Sequence, residues 1–225
     1  EYQKGNPSIG YQLNGGNLVI AGNPNGKHHA GGFITNQSVP AVSDLPGGSN
    51  VNSITVKKIA NFNPGINPGA MFGNLPNLTQ MNFQSVDFSG AGSCAEMFSN
   101  DPSLQTLDLT GMTPGGSCIN FFNGDSKLRE ININSDNWNS PGITNSSAMF
   151  SGLPDLQHID GLNNFGFGNS TDESNMFGSD PNLVGDLPDN PGQFKVGSST
   201  GAAKSVAGMF AGSPKLVNNP NTVLT

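Results

Sequence analysis

The chain has 225 residues, 11% charged and 34% hydrophobic, with 31 Gly, 16 Pro and a formal net charge of −7. This much Gly and Pro argues against long uniform helices, and the few scattered Lys and Arg leave no basic field for phosphate, so nucleic acid is not an expected partner. No apolar run of about 18 residues occurs, so membrane insertion is not expected either.

The polar start, EYQKGNPS, does not read as a signal peptide. Sparse lysine and a surface rich in Asn, Gly, Ser and Thr point to an extracellular protein. Residues 1–66 read as short strands at 16–21 (GNLVIA), 32–35 and 51–59 (VNSITVKKI), separated by the turn-rich GNPNG and LPGGSN. A solenoid needs its apolar first coil covered, and 1–66 is the expected N-terminal β-rich cap. Within it, His28 and His29 stand side by side in a Gly-rich loop. A metal site competes there with an exposed loop pair, but no Cys or acidic cluster at ligand spacing accompanies them. No metal and no cofactor is expected.

From residue 67 to 225 the chain repeats. A double anchor, Met-Phe or Phe-Phe, falls at 71–72, 97–98, 121–122, 149–150, 176–177 and 209–210, with spacings of 26, 24, 28, 27 and 33 residues. After each anchor come three residues, usually Pro, any residue, then Leu, as in MFGNLPNL and MFSNDPSL. Three residues beyond that Leu lies a short alternating strand: Met81-Asn82-Phe83, Leu107-Asp108-Leu109, Ile131-Asn132-Ile133 and a looser Ile159-Asp160. Just before the anchor, apolar residues three and four apart (Cys94, Met97, Phe98; Cys118, Phe121, Phe122) predict a short helical segment. One unit cannot cover its own apolar face, whereas stacked units bury a continuous column. The expected fold is an α/β repeat: a leucine-rich-repeat solenoid of about six coils, with a parallel sheet, short helical segments and an N-terminal β cap.

Several residues stand out against this frame. Cys94 and Cys118 occupy the same slot of adjacent coils and read as buried thiols; a disulfide becomes available only if that slot is non-helical and tightly stacked. Asp101, Asp125 and Asp180 recur four residues after the start of the anchor, with Leu153 interrupting them. Calcium coordination competes there with Asp accepting backbone N–H bonds in turns. Trp138 is either a core aromatic or an exposed binding aromatic. Asn-X-Ser/Thr sites fall at Asn36, Asn77, Asn145 and Asn169.

With Met81/Phe83, Leu107/Leu109 and Ile131/Ile133 turned inward, the outward face carries Gln80, Asn82, Gln84, Thr106, Asp108, Thr110, Glu130, Asn132, Asn134, His158 and Asp160. The expected ligand-binding residues are Asp108, Asn132, Thr106, Thr110, Glu130, Asn134, His158 and Asp160, centred on Asp108 and Asn132. No nucleophile elbow, phosphate loop or metalloprotease helix is present, so no catalytic residue is assigned.

The repeat resembles that of the BspA-like leucine-rich-repeat surface proteins, over residues of about 70 to 220. Met81 to Phe98 matches their unit in length, with Val86 or Phe88 near the aromatic slot, Ala91 at the Val slot and Cys94 at the first Met slot. The resemblance implies a secreted bacterial cell-surface adhesin, not an enzyme and expected as a monomer, that binds host or cell-surface protein or polysaccharide. A structural spacer within a larger surface protein and a polysaccharide-active β-solenoid enzyme are the competing classes.

Overall fold

Strands whose side chains alternate between apolar and polar have one face to bury and one to leave in water, and here they bury it together. The computed structural model describes residues 8–23, 32–34, 41–59, 67–138, 142–161, 170–184 and 205–217. In chain order the strands among them are β1 (Ser8–Asn14), β2 (Asn17–Asn23), β3 (Gly32–Ile34), β4 (Ser53–Ile59), β5 (Gln80–Asp87), β6 (Thr106–Asp108), β7 (Met112–Thr113), β8 (Gly116–Ser117), β9 (Glu130–Asn132), β10 (Ile143–Asn145) and β11 (His158–Asp160). The main sheet has the order β11-β9-β6-β5-β4-β2-β1-β3. From β2 to β11 every neighbouring pair is parallel. β1 and β2 form an antiparallel hairpin around Gly15, whose φ of 57° suits a residue without a Cβ, and β3 lies antiparallel on the far side of β1.

Register follows from burial. Ile54 pairs with Met81 and Val56 with Phe83, and Leu107 with Ile131 and Ile131 with Ile159; all are buried. The sheet thus passes without a break from β4 into the strands of the repeat. Below the first anchor, the Val42 N–H donates to the Met71 carbonyl at 2.8 Å, so the buried Val42 serves as one more rung of the core.

The molecule is a mostly-strand parallel β-solenoid of about four turns with little helix. Six anchors predict about six coils. The anchors at 176–177 and 209–210 do stack on the others, but among the described residues no strand of the main sheet follows β11.

The expected helical segments are a second correction. The described α-helical turns are confined to α1 (Ser135–Trp138) and α2 (Pro214–Val217). Each anchor lies instead in a pair of turns bracketed by left-handed residues. One set, just before the anchors, is Ala70, Glu96, Asn120, Ala148, Asn175 and Gly208; the other, three after each anchor begins, is Asn74, Asn100, Gly124, Gly152, Ser179 and Gly212. A left-handed residue every fourth position cannot belong to a right-handed helix. The N–H groups therefore bond between coils: Phe72 to Met97, Phe98 to Phe121, Phe150 to Met176 and Phe177 to Met209, at 2.8–3.0 Å to the carbonyl. The anchor side of the solenoid is itself a parallel hydrogen-bonded ladder, which satisfies the buried main chain that a helix would have satisfied internally.

Both anchor residues point inward. Phe72, Phe98, Phe122, Phe150, Phe177 and Phe210 form one unbroken stack, with ring centroids 5.3–5.9 Å apart and interplanar angles of 24° or less. Phe83 meets Phe72 and Phe98 edge-on, joining the stack to the sheet. Despite the 33-residue spacing before the last anchor, Phe210 still stacks on Phe177.

Candidate functional site

The strand side presents the polar array. Thr106, Glu130 and His158 are register partners in one row, and Asn82, Asp108, Asn132 and Asp160 in the next. Equivalent residues of adjacent parallel strands repeat about every 4.8 Å. Thr106, Asp108 and Asp160 are exposed, while Glu130, Asn132 and His158 are half-buried. Thr110 and Asn134 are exposed just beyond β6 and β9. The structure thus brings six of the eight expected residues into two registered rows and sets the other two at their margin.

Local bonds hold this face. The Asp108 Oδ1 accepts the Thr110 N–H at 2.9 Å and its hydroxyl at 2.7 Å, so Asp108 also closes a turn, a role that sequence alternation did not show. The Asn132 Nδ2 donates to the Glu130 Oε1 at 3.4 Å, and the Asn137 Nδ2 to the Thr110 carbonyl at 3.2 Å. The carboxylates of Asp108, Glu130 and Asp160 make β6 to β11 acidic, while Lys57 pairs in register with Gln84 on β4 and β5. At the margin, Arg129 and Asp155 form an exposed ion pair at 4.0 Å, a kind of contact worth little to stability.

The anchor side carries the other titratable groups. Asp101, Asp125 and Asp180 are fully buried. Their Oδ1 atoms accept the N–H groups of Leu75, Asp101 and Leu153 at 2.8, 2.7 and 2.7 Å, each in the preceding coil, and the Ser213 hydroxyl accepts the Asp180 N–H at 2.9 Å. The Oδ2 atoms have no partner. Burial raises the carboxyls to about 9 for Asp101, where the charge of Asp125 adds to it, about 8 for Asp125 and about 7 for Asp180. At neutral pH Asp101 and Asp125 are therefore uncharged acids. This is the N–H-accepting reading of the recurrent Asp, carried between coils rather than within one turn. Among the described residues no group of three or more His, Cys, Asp or Glu could hold a metal ion.

Trp138 is buried, edge-on to Phe121 at 5.8 Å and stacked on Phe150 at 6.5 Å, which makes it a core aromatic. His28, His29, Asn36 and Asn169 lie outside the described residues. One feature was missed in the sequence: a shallow hollow of about 310 Å³ on the turn edge, lined by Asn74, Pro76, Asn100, Pro102 and Gly124. The repeated Asn-X-Pro after the first two anchors was its available signal.

The chain matches no family model, no curated protein and no solved structure. Among the described residues no helix is long and apolar enough to cross a membrane.

Proposed function

We propose that this chain is a non-enzymatic binding module of an extracellular cell-surface adhesin, a divergent member of the BspA-like leucine-rich-repeat class. It recognises a host or cell-surface protein, or a polysaccharide, through the outward face of β6, β9 and β11. The observation that carries this reading is the register of Thr106–Glu130–His158 with Asp108–Asn132–Asp160. The sheet consumes the main-chain donors and acceptors, so what remains for a partner is a set of side-chain groups repeated at fixed intervals on a rigid support. Such an array suits an extended partner, because little ordering is left to lose on binding. The carboxylates disfavour acidic partners. In the same reading residues 1–66, with the β1–β2 hairpin and β3 among them, cap the solenoid and the module acts as a monomer.

A spacer role is the second reading, favoured by the unbroken Phe stack and the two hydrogen-bonded ladders, which together stiffen a rod. A glycan and matrix-protein array probed with the intact chain separates the two. A saturable ligand lost in Asp108→Asn/Asn132→Ala supports the binding module. A ligand unaffected by that variant places the contact elsewhere, and no ligand at all leaves the spacer.

A further inference from the structure

The two cysteines stand three residues before the anchors at 97–98 and 121–122, and their slot is a rung of the inter-coil ladder rather than a helix. The Cys94 N–H donates to the Ser117 carbonyl and the Cys118 N–H to the Asn145 carbonyl, both at 2.8 Å. Ser93 and Ser117 face each other as a parallel bridge, which sets Cys94 in register with Cys118. The coils also approach closely here: Gly116 has φ 65°, and a Cβ on it would run into the Gly92 carbonyl. Register partners in parallel strands lie about 4.8 Å apart, inside the roughly 4.4–6.8 Å that Cα atoms span across a disulfide. Both thiols are free and fully buried, and the Cys118 thiol donates to the Gly115 and Gly116 carbonyls at 3.8 and 4.0 Å. In later coils the slot holds Ser146 and Glu173, so the geometry for a bridge exists at this pair alone among the described residues.

We propose that Cys94 and Cys118 close an inter-coil disulfide as the chain folds in an oxidising milieu, with a small-molecule disulfide such as oxidised glutathione as oxidant. One cysteine thiolate attacks a glutathione sulfur, the glutathione disulfide bond breaks and one glutathione thiolate leaves. The second cysteine thiolate then attacks the protein sulfur of the mixed disulfide, forming the Cys94–Cys118 bond and releasing the second glutathione. The two protein thiols are oxidised by two electrons, one glutathione disulfide is reduced to two thiols, and the two protons pass to the departing thiolates. Burial, and then the neighbouring Cys94, push the Cys118 thiol well above its usual range, so thiolate is scarce once the coils have closed. The bond therefore forms before or during stacking, and the folded reduced protein oxidises only through opening. It ties together the coils that lead into β6 and β9 and restricts the unfolded chain across a 24-residue spacing.

The test refolds the full chain from denaturant in mixtures of reduced and oxidised glutathione, then quenches with an alkylating reagent. The expected product is a monomer lighter by two hydrogens, whose non-reduced digest links the Cys94 and Cys118 peptides. Its thermal midpoint lies several degrees above that of the reduced protein and returns to it with reductant. A Cys94→Ala/Cys118→Ala variant keeps one midpoint with or without reductant. Full alkylation of both cysteines at every glutathione ratio, or only glutathione adducts and intermolecular dimers, overturns the proposal. That readout is made on the natural sequence and does not depend on whether any variant folds.

Discussion

The two sides of the solenoid solve the same problem, a main chain that must be hydrogen-bonded while it is stacked, by different local means. On the strand side, alternation sends every second residue outward, so Asn82, Asp108, Asn132 and Asp160 are available to a partner and contribute little to the core. On the anchor side two consecutive large residues both turn inward, as at Met97 and Phe98, and left-handed residues such as Glu96 and Asn100 must bend the chain around them. Most of the left-handed residues therefore lie on the anchor side, with Lys58 and Ser85 as exceptions in β4 and β5, and the accessible chemistry lies on the strand side. The outward strand positions are free to vary because the anchors and the inward strand residues together keep the coils in register.

The largest way to break this contrast is Phe98→Ala. Phe98 stacks between Phe72 and Phe122 and meets Phe83 and Phe121 edge-on. Its loss is expected to cost about 3–5 kcal/mol in denaturant unfolding. Asn82→Ala, on the opposite side of the same coils, should change stability by less than about 0.5 kcal/mol. Equal costs for the two would show that the sides do not divide as described.

The buried carboxyls come next. The folded-state values of Asp101, Asp125 and Asp180 are raised above the ordinary 3.8, so the folded protein holds protons that the unfolded chain releases. Their contribution is fully present below about pH 4 and falls as pH rises. The loss ends near pH 7 for Asp180, 8 for Asp125 and 9 for Asp101. Thermal midpoints should accordingly decline from pH 5 to pH 9. Asp101→Asn/Asp125→Asn keeps the Oδ1 acceptor and should flatten that decline, with a higher midpoint at pH 9 than the parent. Asp101→Ala orphans the Leu75 N–H and should cost about 1–3 kcal/mol even at pH 5. A parent protein equally stable at pH 5 and pH 9 would contradict the neutral-carboxyl assignment.

A smaller effect tests the left-handed brackets. Ala148 has φ 51° where the last coil uses Gly208 at φ 65°. Ala148→Gly is therefore expected to stabilise by about 0.5 kcal/mol, the reverse of the usual cost of glycine. A loss of stability at this position would mean that the turn is not left-handed in solution.

The smallest expected effect is on the polar face. Asp108→Asn/Asn132→Ala should leave the unfolding free energy within about 0.5 kcal/mol of the parent, because the amide oxygen introduced by Asp108→Asn can still accept the Thr110 N–H. Asp108→Ala removes that acceptor as well, so it would mix a turn defect with any binding defect.

Period and alternation are enough to place Leu107, Ile131 and Ile159 inward and Thr106, Asp108, Glu130, Asn132, His158 and Asp160 outward, because a two-residue alternation is a purely local signal. The same local logic predicts a helical stripe at Cys94, Met97 and Phe98, which the structure replaces with turns. Spacings of three and four fit a helix, but they fit a pair of tight turns equally well when the residues between them are left-handed. Glu96, Asn120 and Ala148 reveal nothing of that conformation by their identity.

The stacking unit, its anchors and the face each strand residue takes follow from the order of residues alone, since these depend on which side chains avoid water. That the anchor segments pair between coils instead of coiling within themselves is set by the folded neighbours. They likewise decide that Asp101 and Asp125 are buried beneath their neighbours' N–H groups, and that Cys94 meets Cys118. Each of these depends on what lies one coil away, roughly 24 to 28 residues along the chain, and a local pattern carries no information about what it will be stacked upon.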